Sequence, residues 1–337
     1  MIGIWNYTVI LTYVSLISSF GGMIFAIKGQ IMGALLCLAF SGLCDAFDGM
    51  RGRLMKKDDL QTRIVRALYG RNPGRLVLRA ITKPWFSRLA GGLLETRISK
   101  AAIKGFVNRY GIDINRYENE KYKSFNDFFI RRKKICFNEF STRRNELAAP
   151  CDGWLTAYRI SEKGRVTVKG ISYTMEELVR NRELAKAFEG GTMLLFRLTV
   201  SDYHRYHYPD SGVKSDNTRI DGSLHTVNPI AAASRGIYRE NAREYFTVDT
   251  DNFGKVLMMQ VGALLVGRIH NRHSAAVVRR GNEAGWFDYG DSTVILCFRE
   301  GTVKLKEEHS VREEENGEIH VETGQVIGKA VYGDEMQ

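Results

Sequence analysis

The chain has few cysteines and no cysteine pattern. Five occur in 337 residues (Cys37, Cys44, Cys136, Cys151, Cys297), an odd number and widely scattered. That excludes a disulfide framework and the paired spacing of a structural zinc site, and it suits a reducing compartment. Zinc-finger spacing, an RNP-like aromatic motif and a recognition-helix signature are also missing, which sets nucleic acid aside as a partner. There is no internal repeat and no low-complexity segment. What the chain does have is positive charge: a net +11 and a sequence pI of about 9.4. A basic excess favours an acidic partner, and with nucleic acid set aside an anionic membrane surface remains. The length allows one large or two ordinary domains with a real core.

Residues 7–27 form a run of 21 without a formal charge, close to the ~20 needed to cross a bilayer. No basic segment precedes the run and no small-residue cleavage site follows, so it does not read as a signal peptide. Residues 31–44 form a second, shorter uncharged run, and the two together predict a transmembrane helical hairpin. A buried soluble helix pair is the alternative. Arg51, Arg53, Lys56 and Lys57 follow at once, which places the rest of the chain on the cytoplasmic face, as at a bacterial-type cell membrane. The hairpin ends in Asp45, Asp48, Gly49 and Arg53. Carboxylates at a membrane face are expensive unless they bind something. This stretch resembles the opening half of the CDP-alcohol phosphatidyltransferase signature. The second half is absent: its glycine would fall at Thr62 and its two aspartates at Arg66 and Gly70. Residues 1–55 therefore read as a truncated segment of that kind that anchors rather than catalyses, joined to a second domain over 60–337.

That domain divides in two. Residues 60–144 are helical in pattern, broken at Pro73 and Pro84. Leu76, Val77, Ile81, Trp85 and Phe86 interleave with Arg75, Arg79, Lys83 and Arg88. This basic amphipathic pattern suits either the headgroup layer of a membrane or an ordinary packed helix. Ser124 is the expected N-cap of a helix with Asp127 at its third position. Residues 145–337 change texture. Short apolar runs at 154–160, 165–169, 192–200, 255–268, 274–279, 293–298, 319–321 and 326–331 alternate with Gly and polar turns, the rhythm of a mainly antiparallel β domain. One helix is predicted over 175–188, and an acidic, solvated hairpin or loop over 307–318. The fold class expected is α+β.

Three places in the β-rich part could carry chemistry. Asp152 lies in a Pro/Gly turn before a strand, where an Asx-turn residue is the plain alternative. His204 and His207, two of seven histidines, lie three apart among aromatics. No third and fourth ligand stands at useful spacing, so no metal is expected there. Ser292 sits where a turn containing Gly290 enters an apolar strand, although most such turns only turn. Asp, His and Ser form a familiar set, with one residue orienting, one taking a proton and one attacking, so a serine hydrolase using Asp152, His207 and Ser292 is one candidate. Against it, Ser292 has no Gly-x-Ser-x-Gly elbow and leads into a strand rather than a helix.

Taken in order, the motifs resemble the pyruvoyl-dependent phosphatidylserine decarboxylases. The resemblance covers residues 60–331. It is carried by Lys83-Pro84-Trp85-Phe86, Lys123-Ser124-Phe125-Asn126, Pro150-Cys151-Asp152-Gly153, Asp202-Tyr203-His204-Arg205-Tyr206-His207, His225-Thr226-Val227-Asn228-Pro229, Asn252-Phe253-Gly254-Lys255-Val256, the 261–267 stretch, and Gly290-Asp291-Ser292-Thr293. The resemblance implies that Ser292 attacks the carbonyl of Asp291 and that the chain cuts itself between these two residues. The fragments 1–291 and 292–337 would stay together as a heterodimer, the second of 46 residues (292 to 337) and capped by a covalent pyruvoyl group. The ketone would be the electron sink that turns phosphatidylserine into phosphatidylethanolamine at the membrane. It further implies Asp152 and His207 as the relay that activates Ser292, and His204 in proton transfer during decarboxylation. Two positions depart from the family pattern: Asp291 stands where glycine is usual, and Cys151 where alanine is usual. A carboxylate at the scissile carbonyl leaves a third reading open, a membrane-bound pseudoenzyme that does not process.

Overall fold

The computed structural model describes residues 91–118, 121–134, 140–264, 268–310 and 317–331, with Cys37, Thr82, Lys83 and Ser87 as isolated positions. Apart from Cys37, the expected transmembrane hairpin lies outside these residues, as do the phosphatidyltransferase-like stretch and almost all of the basic amphipathic segment. Among the described residues no helix is long and apolar enough to cross a membrane.

The expected α+β class, with mainly antiparallel sheets, is what the described residues show. A nine-stranded sheet runs through the molecule, and every neighbouring pair in it is antiparallel. The Ser292–Phe298 strand lies inside it, between Gly254–Val261 on one side and Thr192–Leu198 on the other. All seven of its residues are buried. Val294, Leu296 and Phe298 enter one hydrophobic core, while Ile295 and Cys297 enter the core on the opposite face. This is the two-residue alternation of a strand covered on both sides. A continuous apolar run with a β-branched start could settle only there.

A third, smaller core belongs to the helical part. Leu94, Phe106, Tyr122, Phe125, Phe128 and Phe129 form it, with Val200 and Tyr289 packed against its edge. The Phe125–Phe129 helix starts as expected: Ser124 Oγ accepts from the Asp127 N–H at 3.1 Å, satisfying one of the first-turn donors. Three of the five helix residues are buried aromatics, and edge-to-face contacts of Phe125 and Phe128 with Phe106 and Tyr122 fix the helix within the helical core.

The single helix expected over 175–188 is two helices, Met175–Val179 and Arg182–Lys186. A capping box at Thr174 and Glu177 opens the first. Arg180 then takes a left-handed conformation (φ 52°) and ends it, and Asn181 caps the second through the Leu184 N–H at 3.0 Å. The local chemistry of Asn181 outweighs the continuous apolar pattern. The 307–318 region begins as a short 3-10 turn, Glu307–His309.

Candidate active site

The turn before the central strand begins where the Glu283–Phe287 strand ends. Gly290 holds φ at 136°, a backbone angle that a side chain would strain. The chain then enters the sheet at Ser292, which pairs with Leu198. Ser292 is fully buried, and its Oγ has no hydrogen-bond partner among the described residues. The same holds for Thr293 Oγ1 beside it. Buried hydroxyls are nearly always paired, and Ser292 Oγ shares its lack of a partner with a few others among the described residues, Thr156 Oγ1 and Tyr238 Oη among them.

His204 stands over this turn. Its ring is fully buried and packs on Phe129 at 4.1 Å between centroids. Nδ1 is 3.0 Å from the Asp202 carbonyl, which can only accept. Nδ1 therefore carries the proton of the neutral ring, and Nε2 keeps its lone pair. Nε2 has no hydrogen-bond partner among the described residues. Burial pushes the ring down to about 4, against the Asp202 and Gly290 carbonyls, which favour its protonated form. At neutral pH the ring is uncharged, and it lies beside the carbonyl of Gly290, two residues before Ser292.

His207 is buried further along the same segment, at the end of the Arg205–His207 strand. Its ring is stacked on Tyr203 at 6.1 Å and tilted against Phe140 at 5.7 Å. Burial pushes it down to about 4 as well, with the charges of Glu283 and Asp152 acting in the other direction. Asp152 is thus close enough for His207 to feel its charge. The hydrogen bonds of Asp152 go elsewhere: its Oδ1 accepts from Lys133 Nζ at 2.6 Å, from the Thr323 N–H at 2.8 Å and from Thr323 Oγ1 at 2.7 Å. The Asp152–Lys133 pair is almost wholly removed from water.

Sequence reasoning missed three supports. Lys133 and Thr323 hold Asp152, and nothing in their local motifs signals a role. Asp202 braces the loop carrying His204: its Oδ1 is 2.9 Å from His320 Nε2, and its Oδ2 accepts from the Thr199 N–H and hydroxyl at 2.7 and 2.8 Å. The hydrogen bond to Asp202 raises the His320 pKa, as expected for an imidazolium beside a carboxylate. Asp291 is a further surprise, for its state rather than its place. Burial pushes its carboxyl up to about 6, although the Arg197 charge, a long (3.4 Å) contact from Thr226 Oγ1 and the Val200 backbone favour ionisation.

A family model described as phosphatidylserine decarboxylase matches residues 125–329. The phosphatidylserine decarboxylase proenzyme 2 of Clostridium acetobutylicum is 38% identical over 263 residues, spanning 78% of this chain and 90% of that protein. The corresponding proenzyme of Ruminiclostridium cellulolyticum is 36% identical over 275 residues, 80% of this chain and 92% of that one. That of Clostridium perfringens is 36% identical over 253 residues, 74% and 86%.

The chain belongs to the phosphatidylserine decarboxylase family. For a member of this family, the residues around 292 fit a covalent pyruvoyl group made from the chain itself. A serine whose hydroxyl is buried and unpartnered at the end of a glycine-bearing turn can lose that hydroxyl without breaking a side-chain hydrogen bond.

Proposed function

We propose that the chain is a proenzyme that cuts itself between Asp291 and Ser292 and then decarboxylates phosphatidylserine to phosphatidylethanolamine at an anionic membrane. The observation that carries this is the unpaired, fully buried Ser292 Oγ behind the positive-φ Gly290, in a chain of this family. The hydroxyl adds to the Asp291 carbonyl carbon. The amide C–N bond breaks, the Ser292 nitrogen takes a proton, and an ester links the two residues. Loss of the Ser292 α-proton then expels the Asp291 carboxylate and leaves dehydroalanine. Water replaces its nitrogen, which leaves as ammonia, and the new amino-terminal residue is a pyruvoyl group. When present, that ketone supplies the electron sink for loss of carbon dioxide from an amine-bearing substrate.

The rest falls to side chains. In the reading taken from the family, Asp152 and His207 form the relay that activates Ser292, and His204 moves a proton during decarboxylation. The geometry favours a second assignment, in which His204 accepts the Ser292 proton. Its Nε2 lone pair has no hydrogen-bond partner among the described residues and its ring lies against the Gly290 carbonyl. The Asp152 oxygens serve Lys133 and Thr323 in the uncleaved chain. Residues 1–55 would act as a membrane anchor and 60–337 as the catalytic domain, with the positive flank of the anchor keeping that domain on the cytoplasmic face.

Intact-mass measurement on purified protein tests the proposal. The expected result is two polypeptides, residues 1–291 and 292–337, the second blocked to Edman sequencing and modified by borohydride with an amine. A single 38.2 kDa chain that releases carbon dioxide from phosphatidylserine would sink the self-cleavage step. Labelling of the intact chain by an active-site phosphonate would favour the hydrolase instead.

A further inference from the structure

The Phe125–Phe129 helix buries Phe125, Phe128 and Phe129, which leaves Asn126 and Asp127 to face other groups. Asp127 turns back on its own chain, its Oδ2 accepting from the Lys123 N–H at 2.8 Å. Asn126 reaches across 163 positions of sequence to the turn before Ser292. Its Oδ1 accepts from the Tyr289 N–H at 3.1 Å. Its Nδ2 donates to Asp288 Oδ1 at 3.4 Å. The other oxygen of Asp288 lies 3.1 Å from His270 Nε2, and the His270 ring is stacked on Trp286 at 4.8 Å with only 12° between the planes. The Asp288 N–H donates to the Arg268 carbonyl at 3.2 Å. The Tyr289 ring meets Phe125 and Phe129 edge-on, at 5.4 and 4.9 Å. Phe129 is also the ring on which His204 packs.

One five-residue helix therefore touches both the turn that carries the scissile bond and the imidazole beside it. We infer that Asn126 is a positioning residue for self-cleavage, holding residues 288 and 289 so that the Asp291 carbonyl stays within reach of Ser292 Oγ. The inference rests on the reading that the 291–292 bond is cut. The chemistry of the contact is specific. A backbone N–H needs an acceptor and a carboxylate needs a donor, and the amide side chain offers both from one planar group. Helix propensity does not explain an asparagine here, because it is among the weaker helix formers. The turn also needs an outside anchor, since Gly290 gives it no side-chain restraint of its own. An attack on a neighbouring carbonyl depends steeply on alignment, and a misplacement of ~1 Å can cost about a hundredfold in rate.

The test follows conversion of the full-length chain to its two fragments in freshly synthesised protein. Asn126→Ala is expected to slow conversion by about tenfold or more. Asn126→Asp keeps the shape and the acceptor for Tyr289 but sets a carboxylate against Asp288, and is expected to slow it comparably. Combining Asn126→Asp with Asp288→Asn returns a donor to the pair and is expected to recover a rate near that of the wild type, which loss of a merely structural contact would not do. If Asn126→Asp converts as fast as wild type, or the exchanged pair is as slow as Asn126→Asp alone, the positioning role is overturned. A wild-type chain that never converts overturns the underlying reading, and the clamp with it. Should Asn126→Ala fail to fold, the two isosteric variants still decide between these outcomes.

Discussion

The Asp152 corner and the Ser292 turn are both buried and both polar, yet they handle hydrogen bonds differently. At the corner, one carboxylate oxygen receives three donors, from Lys133 and twice from Thr323. At the turn, Ser292 Oγ, Thr293 Oγ1 and His204 Nε2 are all buried without a hydrogen-bond partner among the described residues. A satisfied cluster resists change and an unsatisfied one is poised for it. On the proposed reading, the corner holds the fold and the turn carries the chemistry. The sharpest way to break it is Ser292→Ala. The expected outcome is complete loss of the two fragments and of carbon dioxide release, with a thermal midpoint no lower than that of freshly made, unconverted wild-type chain. Replacing a hydroxymethyl group whose oxygen is buried and unpaired by a methyl group removes a desolvated polar atom and no hydrogen bond. A marked fall in midpoint would mean that Ser292 has a structural partner after all.

The corner should behave in the opposite way. In the uncleavable Ser292→Ala background, where unfolding of one intact chain can be followed, Asp152→Ala leaves the Lys133 ammonium buried and unpaired. The expected loss is about 3 kcal/mol, measured by urea unfolding. Adding Lys133→Met should return much of it, because the uncompensated charge is then gone. If Asp152→Ala costs less than about 1 kcal/mol, the pair is not the buried support that its geometry describes.

These two regions were not equally legible in the sequence. The central strand could be read from seven consecutive residues with no charge among them, and the Ser124 cap from a motif of four, because both signals are local. The positions of Asp152, His204, His207 and Ser292 could be named from an ordered series of short motifs. Their partners could not. Lys133 meets Asp152 from a separation of 19 residues and Thr323 meets it from 171, Asp202 meets His320 from 118, and none of these pairs leaves a periodic trace. The eight-residue strand Arg243–Thr250 also escaped reading. Its polar residues look like a loop until Arg243 is seen fully buried, donating to the carbonyls of Leu178, Arg239, Asn241 and Glu177.

The two histidines offer a finer division of the same comparison, since one faces the turn and the other faces the corner. With His204 as the base for Ser292, His204→Gln is expected to slow fragment formation by about a hundredfold, and His207→Gln by much less. The measurement is the half-time of conversion for each variant at one pH. The reverse order would return the activating role to His207 and make the Asp152 charge part of the chemistry.

The smallest effect concerns Asp291, the residue on the acyl side of the scissile bond. Addition of Ser292 Oγ places negative charge on the Asp291 carbonyl oxygen, and an ionised side chain on the same residue opposes that charge. With the carboxyl pushed up to about 6, conversion is expected to be fastest between about pH 4, where the buried histidines become protonated, and pH 6. It should fall by a few-fold above that. Asp291→Gly should abolish the alkaline fall and leave the acid one. Stability carries the same signature with a definite sign. A carboxyl whose folded-state value is raised contributes stability that is complete below its ordinary value of about 4 and is lost as pH rises through 6. A buried histidine does the reverse: its contribution is complete above about 6.5 and is lost as pH falls towards 4. In the Ser292→Ala background, Asp291→Asn is therefore expected to gain about 1 kcal/mol at pH 7.5 and nothing at pH 4. A gain that is equal at both pH values would show that the carboxyl is no harder to ionise in the fold than in water, and would remove the reason to expect an alkaline fall.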